Sequence, residues 1–227
     1  MKSNLITLVA VGLALLSPNA MATSIDFRHE YKHSTDRHAS RVKIGHTFDK
    51  KYAVSLELKY KGKDAEFMKD LHFNGAELAF GYKLKLNDQW TLSPGLPIEV
   101  SSSGNKTYKP QLRLTYYPGN IQGLSISGRY RLDMKPSEDI KRLRHRFTTN
   151  IGYKYQNWSL GLEGNYYYAD HSDYILFNNK RTNYETNLTA HYKAGKWTPW
   201  VEFGDVLVDS HTSQRELRSR VGIRYSF

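Results

Sequence analysis

The chain ends in the stretch LRSRVGIRYSF, residues 217–227, and the pattern of this stretch decides the fold. Counted back from the end, every second residue is apolar: Phe227, Tyr225, Ile223 and Val221. The positions between them hold Arg224, Gly222, Arg220 and Arg218. Strict alternation predicts a β-strand, because successive side chains of a strand point to opposite faces. One apolar face and one arginine-rich face are typical of a membrane barrel, whose outside meets lipid and whose inside meets water.

The same alternation recurs along the chain and predicts about twelve strands, each long enough to cross a membrane at a tilt. The predicted fold class is therefore all-β: a transmembrane antiparallel β-barrel with a polar, basic lumen. The predicted outward positions hold no Lys, Arg, Asp or Glu, although 24% of the chain is charged. Aromatic residues near the strand ends predict two girdles at the membrane surfaces. Pro94 and Pro97 weaken the fifth predicted strand, because proline donates no ladder hydrogen bond.

The first 22 residues have the pattern of a secretory signal peptide. Lys2 precedes an apolar run from Leu5 to Leu16, and the segment ends in a small-residue cleavage pattern at Ala22. We therefore expect a signal peptide over residues 1–22 and one barrel domain over residues 23–227. Export and the alternating strands predict a multi-pass barrel in the outer membrane of a Gram-negative cell, in contact with outer-membrane lipid and lipopolysaccharide.

The net charge of +11 and the absence of cysteine limit the possible partners and cross-links of the chain. Export without cysteine excludes a disulfide framework. A basic excess indicates an anionic partner, and export makes nucleic acid the least favoured one. The short turns, such as 87–88, alternate with longer polar loops, which places the short turns in the periplasm.

The predicted lumen carries more basic than acidic side chains. The basic positions are Arg28, Arg41, Lys43, Lys59, Lys83, Lys109, Arg113, Arg129, Arg131, Arg146, Lys154, Arg181, Arg218, Arg220 and Arg224. The acidic positions are Asp26, Glu30, Glu57, Glu77, Glu99, Asp133, Glu163, Glu185 and Glu202. Most acids are expected to pair with bases and stiffen the wall, which leaves some guanidinium groups over. Two short ladders of arginines are present, Arg129 with Arg131 and Arg218 with Arg220. Each ladder could pass a carboxylate from one guanidinium group to the next.

An enzymatic barrel is the alternative from a different class. Asp170, His171, Ser172 and Asp173 are the one local cluster of residue types suited to hydrolysis, and they lie in a predicted solvated loop. No G-x-S-x-G motif is present. His29, His33 and His38 are too irregularly spaced to indicate a metal site. We therefore predict no catalytic residues, no metal and no cofactor. A barrel hydrolase is less favoured by the sequence than a channel.

With these residues laid out, the chain resembles the oligogalacturonate-specific porin family (KdgM type) over nearly its whole mature length. The segments that carry the resemblance are 24–30 (SIDFRHE), 88–95 (DQWTLSPG), 108–113 (YKPQLR), 128–131 (GRYR), 197–202 (WTPWVE) and 220–227 (RVGIRYSF). Each is weak alone, since barrel strands look alike, but their order and spacing are specific together.

The resemblance implies a monomeric twelve-stranded barrel that passes acidic oligosaccharides, most of all oligogalacturonates from pectin breakdown. A sister branch of the family passes N-acetylneuraminic acid, so a channel for acidic monosaccharides is the alternative. The inward basic positions of the family match Arg113, Arg129, Arg131, Arg220 and Arg224. With Arg218 of the terminal ladder, these residues form the predicted solute pathway of a passive, anion-selective porin.

Overall fold

A computed structural model describes residues 23–62, 66–136 and 142–227. Fourteen β-strands occur in these ranges: β1 (Thr23–Lys32), β2 (Arg37–Phe48), β3 (Tyr52–Lys61), β4 (His72–Tyr82), β5 (Leu84–Lys85), β6 (Trp90–Ser101), β7 (Lys106–Tyr108), β8 (Gln111–Tyr116), β9 (Leu124–Asp133), β10 (Arg144–Tyr155), β11 (Trp158–Ala169), β12 (Thr182–Tyr192), β13 (Trp197–Leu207) and β14 (Arg215–Ser226). The predicted signal peptide, residues 1–22, lies outside the described residues.

The strands close into a single antiparallel barrel. β1 pairs with β2 on one side and with β14 on the other, where Ile25 lies opposite Tyr225 and Glu30 lies opposite Arg220. β4 and β5 together form one barrel strand, as do β7 and β8, so the fourteen segments make twelve barrel strands. Closure leaves no open sheet edge, which a barrel in lipid requires. The predicted all-β barrel of about twelve strands is confirmed.

The two prolines of β6 explain why two neighbouring strands are interrupted. On one side, β6 pairs with β5 through Leu92 and with β4 from Gly95 onward, so Pro94 falls in the gap. On the other side, β6 pairs with β8 up to Gly95 and with β7 from Ile98, so Pro97 falls in the gap. The missing N–H groups thus lie where the ladder is already broken, and β6 stays continuous over 12 residues.

The barrel is apolar outside and polar inside. Outward side chains such as Leu188, Val221 and Phe203 are exposed by 57%, 54% and 49%. Inward polar side chains such as Asp26 and Asn165 are buried instead, at 3% and 4%. This inverted packing is stable where lipid covers the outer face. In the described residues, no helix has the length and apolarity needed to span a membrane.

Aromatic pairs line the end of the barrel that holds the short connections. Four ring pairs lie on adjacent strands there: Tyr52 with Tyr82 (5.1 Å between centroids), Trp90 with Tyr116 (4.7 Å), Trp158 with Tyr192 (4.9 Å) and Trp197 with Tyr225 (4.7 Å). Both chain ends of the barrel lie at this end, where the Phe227 N–H donates to the Thr23 carbonyl. We call this end the periplasmic mouth, because short turns face the periplasm in outer-membrane barrels.

One ion pair lies on the outer face near the opposite end. Asp205 is two residues beyond the outward Phe203, and its carboxylate accepts a hydrogen bond from Arg215 Nε at 2.7 Å. Arg215 Nη2 also donates to the backbone carbonyls of Asp205 and Tyr184, each at 2.9 Å. The β12–β13 ladder begins only at Thr186 opposite Asp205. The guanidinium therefore bridges the two strands where their backbone ladder stops.

Replacing Arg215 by methionine should lower the stability of the barrel by about 2 kcal/mol, because charged hydrogen bonds to two carbonyls and the stacking on Tyr184, 4.0 Å away, are lost. The half-exposed Asp205 adds little. Urea-driven unfolding from lipid vesicles measures the change. Lys69→Met, which removes an exposed pair with Glu66, is the matched control and should change little. Equal stability of both variants would show that Arg215 does not hold the two strands together.

Candidate solute pathway

Strand alternation lines the lumen with polar side chains from every side of the barrel, and one cavity within it has a volume of about 490 Å³. Its lining includes Arg28 on β1, Glu77 on β4, Arg131 on β9, Glu163 on β11 and Arg220 on β14. Because inward residues of neighbouring strands lie side by side, the register of the strands decides which charges meet.

A row of glutamates lines one side of the lumen. Glu57 lies directly opposite Glu77 on the next strand, and Glu77 lies directly opposite Glu99. Lys59 Nζ lies 2.7 Å from Glu99 and 3.6 Å from Glu77, and Lys109 Nζ bonds to both of these carboxylates. Two ammonium groups thus separate carboxylates that would otherwise repel one another. Arg41 of β2 supplies the third positive charge, with its Nη1 3.2 Å from Glu57, so the charges of this wall, from β2 to Lys109, are balanced.

A second balanced wall contains two of the predicted pathway residues. Arg220 donates from Nε to Glu30 at 2.6 Å and from Nη1 to Glu202 at 2.7 Å. Arg218 lies 3.3 Å from the same Glu202 carboxylate and donates to Asn187 at 2.7 Å. These arginines hold β12, β13, β14 and β1 together across the lumen face, and their charges are offset by carboxylates.

Asp26 is the centre of a third set of contacts. Its carboxylate accepts hydrogen bonds from Arg41 Nη2 at 2.7 Å, from Trp200 Nε1 at 3.1 Å and from Arg224 Nε at 3.3 Å. Arg224, a predicted pathway residue, stays 43% exposed at its side chain despite this contact. Its charge therefore still faces the water of the lumen, although part of it is offset by Asp26.

Arg113 and Arg129 differ from all of these, and we call them the arginine pair. The two residues lie directly opposite each other on β8 and β9. Arg113 Nη1 donates to Ser127 at 2.8 Å, and Arg129 Nη2 donates to Thr148 at 3.0 Å. In the described part of the chain, neither guanidinium has a carboxylate within ion-pair distance. The arginine pair is therefore a patch of uncompensated positive charge on the lumen wall.

A second pair, Arg131 and Arg146, lies beside the arginine pair, on β9 and β10. The two residues are directly opposite in register. Arg131 Nε lies 2.7 Å from Asp133, so the charge of Arg131 is offset. Arg146 donates to Asn165 at 2.8 and 2.9 Å and lies 3.6 Å from Glu163. Arg146 was among the expected inward bases but not in the predicted pathway. Because its hydrogen bonds go to a neutral amide, it resembles the arginine pair that it adjoins.

Arg28 is another uncompensated cation of the lumen, and the predicted pathway did not include it. It lies on β1 directly opposite Arg41, and its Nε is buried without a hydrogen-bond partner. Within the described ranges its side chain makes no ion pair or hydrogen bond. β1 and β9 are six barrel strands apart in a ring of twelve, so Arg28 faces the arginine pair across the lumen. No sequence signal could have singled out Arg28, because only the strand register shows that the flanking Asp26 and Glu30 pair with other arginines.

Trp200 packs against the lumen wall beside Asp26. Alternation points this side chain inward, and its ring lies flat on Gly222 of β14. A Cβ at position 222 would lie 2.3 Å from Trp200 Cε2, so only glycine leaves room for the indole. Gly222 thus keeps the largest inward side chain of β13 against the wall, where it is 8% exposed.

The residues of the hydrolase alternative do not form a nucleophile and base. Ser172 Oγ donates to Asp173 at 3.1 Å, and His171 Nδ1 accepts the Asp173 backbone N–H. Ser172 and His171 share no hydrogen bond in the described residues. His29 and His38 hydrogen-bond to each other on the outer face, at 2.9 Å. Across the described ranges, no group of three His, Cys, Asp or Glu side chains is placed to hold a metal ion.

A family model described as "Oligogalacturonate-specific porin protein (KdgM)" matches residues 16–227. The chain belongs to this family. The oligogalacturonate-specific porin KdgM of Dickeya dadantii is 32% identical over all of both chains. A solved KdgM porin aligns with a TM-score of 0.67 and 28% identity, covering 90% of this chain and 99% of that one. A solved NanC porin aligns with a TM-score of 0.76 at 20% identity, covering 89% and 100%, which shows the shared fold.

Membership of this family confirms the predicted resemblance and the location. The protein is a multi-pass β-barrel of the cell outer membrane, and its matched relatives are porins and channels rather than enzymes. The contact of any arginine with a solute stays a prediction.

Proposed function

We propose that this porin is a passive, anion-selective channel for oligogalacturonates. The observation that carries the proposal is the arginine pair, which faces the lumen without a carboxylate partner while the walls on either side are balanced. Arg28 adds a third uncompensated guanidinium on the opposite wall. A pore lined by one excess sign of charge concentrates ions of the other sign.

The geometry suits a chain of carboxylates better than a single one. Arg129 and Arg131 are two residues apart on β9, which places successive guanidinium levels about 6.5–7 Å apart. A uronate chain that leaves one level can be held by the next before it is released. Arginine stays protonated and binds carboxylates with two parallel hydrogen bonds, while water in the lumen keeps each contact weak enough to break.

The neutral partners of these arginines suit the rest of a sugar. Gln111, Thr148, Asn165 and Asn187 lie among the guanidinium groups and offer amides and hydroxyls. These groups can exchange hydrogen bonds with sugar hydroxyls without repelling the carboxylates. The relative that is 32% identical over its full length is named for oligogalacturonate, which supports that solute over N-acetylneuraminic acid.

The same structure supports the remaining parts of the proposal. One chain encloses the whole lumen, so a monomer suffices as the channel. The exposed apolar outer face and the aromatic girdles would meet outer-membrane lipid and lipopolysaccharide.

Reversal potentials and single-channel currents in a planar bilayer test the proposal. We expect anion selectivity in a KCl gradient and current block by trigalacturonate at concentrations at least about tenfold below those of N-acetylneuraminic acid, since several carboxylates bind several levels. Maltotriose, a neutral trisaccharide, is the control for size and should block least. Cation selectivity, or equal block by maltotriose, would refute the proposal, whereas block by N-acetylneuraminic acid alone would replace the solute by an acidic monosaccharide.

A further inference from the structure

The two mouths of the barrel carry different charge. The short connections at the periplasmic mouth (49–51, 83–89, 117–123, 156–157 and 193–196) contain six lysines and two aspartates. The described residues of the long connections at the opposite mouth (33–36, 62, 66–71, 102–105, 134–136, 142–143, 170–181 and 208–214) include six acidic and five basic ones. The excess positive charge of the connections is therefore concentrated at the periplasmic mouth.

Strand alternation turns several of these lysines toward the lumen rather than the lipid. Lys51 precedes the outward Tyr52, Lys83 follows the outward Tyr82, and Lys193 follows the outward Tyr192. Lys154 lies between Tyr153 and Tyr155, which are 41% and 60% exposed on the outer face. At this mouth the outward positions are thus held by aromatic rings, and the inward positions by ammonium groups.

Most of these ammonium groups have no counter-charge. Lys85 bonds to Asp88 at 2.7 Å, and Lys196 lies 5.9 Å from the ring of Tyr225. We define Lys51, Lys83, Lys154 and Lys193 as the vestibule lysines. All four are exposed, and none has an ion pair or side-chain hydrogen bond with any residue that the structure describes.

We propose that the vestibule lysines form a binding site for soluble polyanions at the periplasmic mouth, which holds an anionic chain as it leaves the lumen. Flexible, strongly hydrated ammonium groups bind carboxylates or phosphates as point charges and exchange them quickly. Lys51 and Lys83 are neighbours, since the Lys83 N–H donates to the Lys51 carbonyl at 2.8 Å, whereas Lys154 and Lys193 lie on the other side of the opening. Each lysine adds to the positive potential of the opening over a screening length of about 8–10 Å. Lipid headgroups are the weaker candidate ligand, because aromatic rings occupy the lipid side of this mouth. The inference rests on the proposed function for the identity of the natural solute alone.

Sided block of a single oriented porin tests this site. With inorganic tripolyphosphate as the probe, the porin should be blocked from the periplasmic side at concentrations at least about tenfold lower than from the extracellular side. The variant with all four vestibule lysines replaced by glutamine should lose this difference. The control variant K69Q/K180Q, which changes two exposed lysines of the long loops, should keep it. Unchanged conductance at 1 M KCl, where charge is screened, shows that each barrel is folded.

Two results overturn the inference: equal block from both sides of the unaltered porin, or a side preference that survives in the fourfold variant. The stability of both porins in vesicles of anionic lipid provides a further check. If the fourfold variant is less stable there than the unaltered porin but is blocked in the same way, the lysines bind lipid and the proposed site is refuted. Failure of the proposed function looks different. Trigalacturonate would then block from neither side, while the sided block by tripolyphosphate would remain.

Discussion

Replacing both residues of the arginine pair, Arg113 and Arg129, by glutamine should lower the anion-to-cation permeability ratio by about three- to tenfold. Each guanidinium stabilises an anion about 7 Å away by about 0.6 kcal/mol at the dielectric constant of water, which is nearly threefold in population. Both groups act on the same stretch of lumen, because Arg113 and Arg129 are directly opposite in register. Neither has a carboxylate partner to be left unpaired, so the change removes positive charge without exposing a negative one.

The balanced wall provides the matched control. In the double variant E77Q/K109Q, one acid and one base that bond to each other at 2.8 Å are both neutralised. The number of substitutions and their position in the lumen are comparable, but the net charge is unchanged. Reversal potentials in a KCl gradient should therefore distinguish the two double variants. If both shift selectivity equally, or if R113Q/R129Q leaves it unchanged, the anion pathway does not run along β8 and β9.

Replacing Gly222 by valine should reduce single-channel conductance to about half or less, because Trp200 loses the surface on which it lies. Three atoms of the indole lie within 2.6 Å of the position a Cβ would take, and backbone on both sides prevents the strand from moving away. The ring must then turn away from β14 into the lumen, where it reduces the open cross-section. Asp26 would lose one of its three donors but keep Arg41 and Arg224.

A second substitution separates narrowing from misfolding. In the variant W200A/G222V the valine occupies space that the indole has left, so conductance should return to at least that of the unaltered porin. Gly128→Val, at an outward position where a Cβ meets no atom within 4 Å, is the control for adding a branched side chain to a strand. Unchanged conductance in G222V, or no recovery in the double variant, would show that Trp200 does not limit the pore.

The sequence by itself determined which way each side chain faces. Alternation is a local property of a strand, so the eleven residues 217–227 were enough to place Arg218, Arg220 and Arg224 inward and Val221 and Ile223 outward. The same rule gave the strand number and the inward bases. The alternation rule did not predict the pair of Asp205 and Arg215, because both lie near strand ends, beyond the apolar pattern.

Only the tertiary structure decided which inward charges are balanced. The partners of the terminal arginines are remote in sequence: Arg220 meets Glu30, and Arg224 meets Asp26, after the chain has closed on itself. Glu57, Glu77 and Glu99 likewise became one row only through the register of three strands. Alternation cannot give this register, since any slip of two residues keeps every side chain on its own face. The sequence therefore predicted a basic lumen, whereas closure of the barrel left Arg28, Arg113 and Arg129 without a carboxylate partner among the described residues.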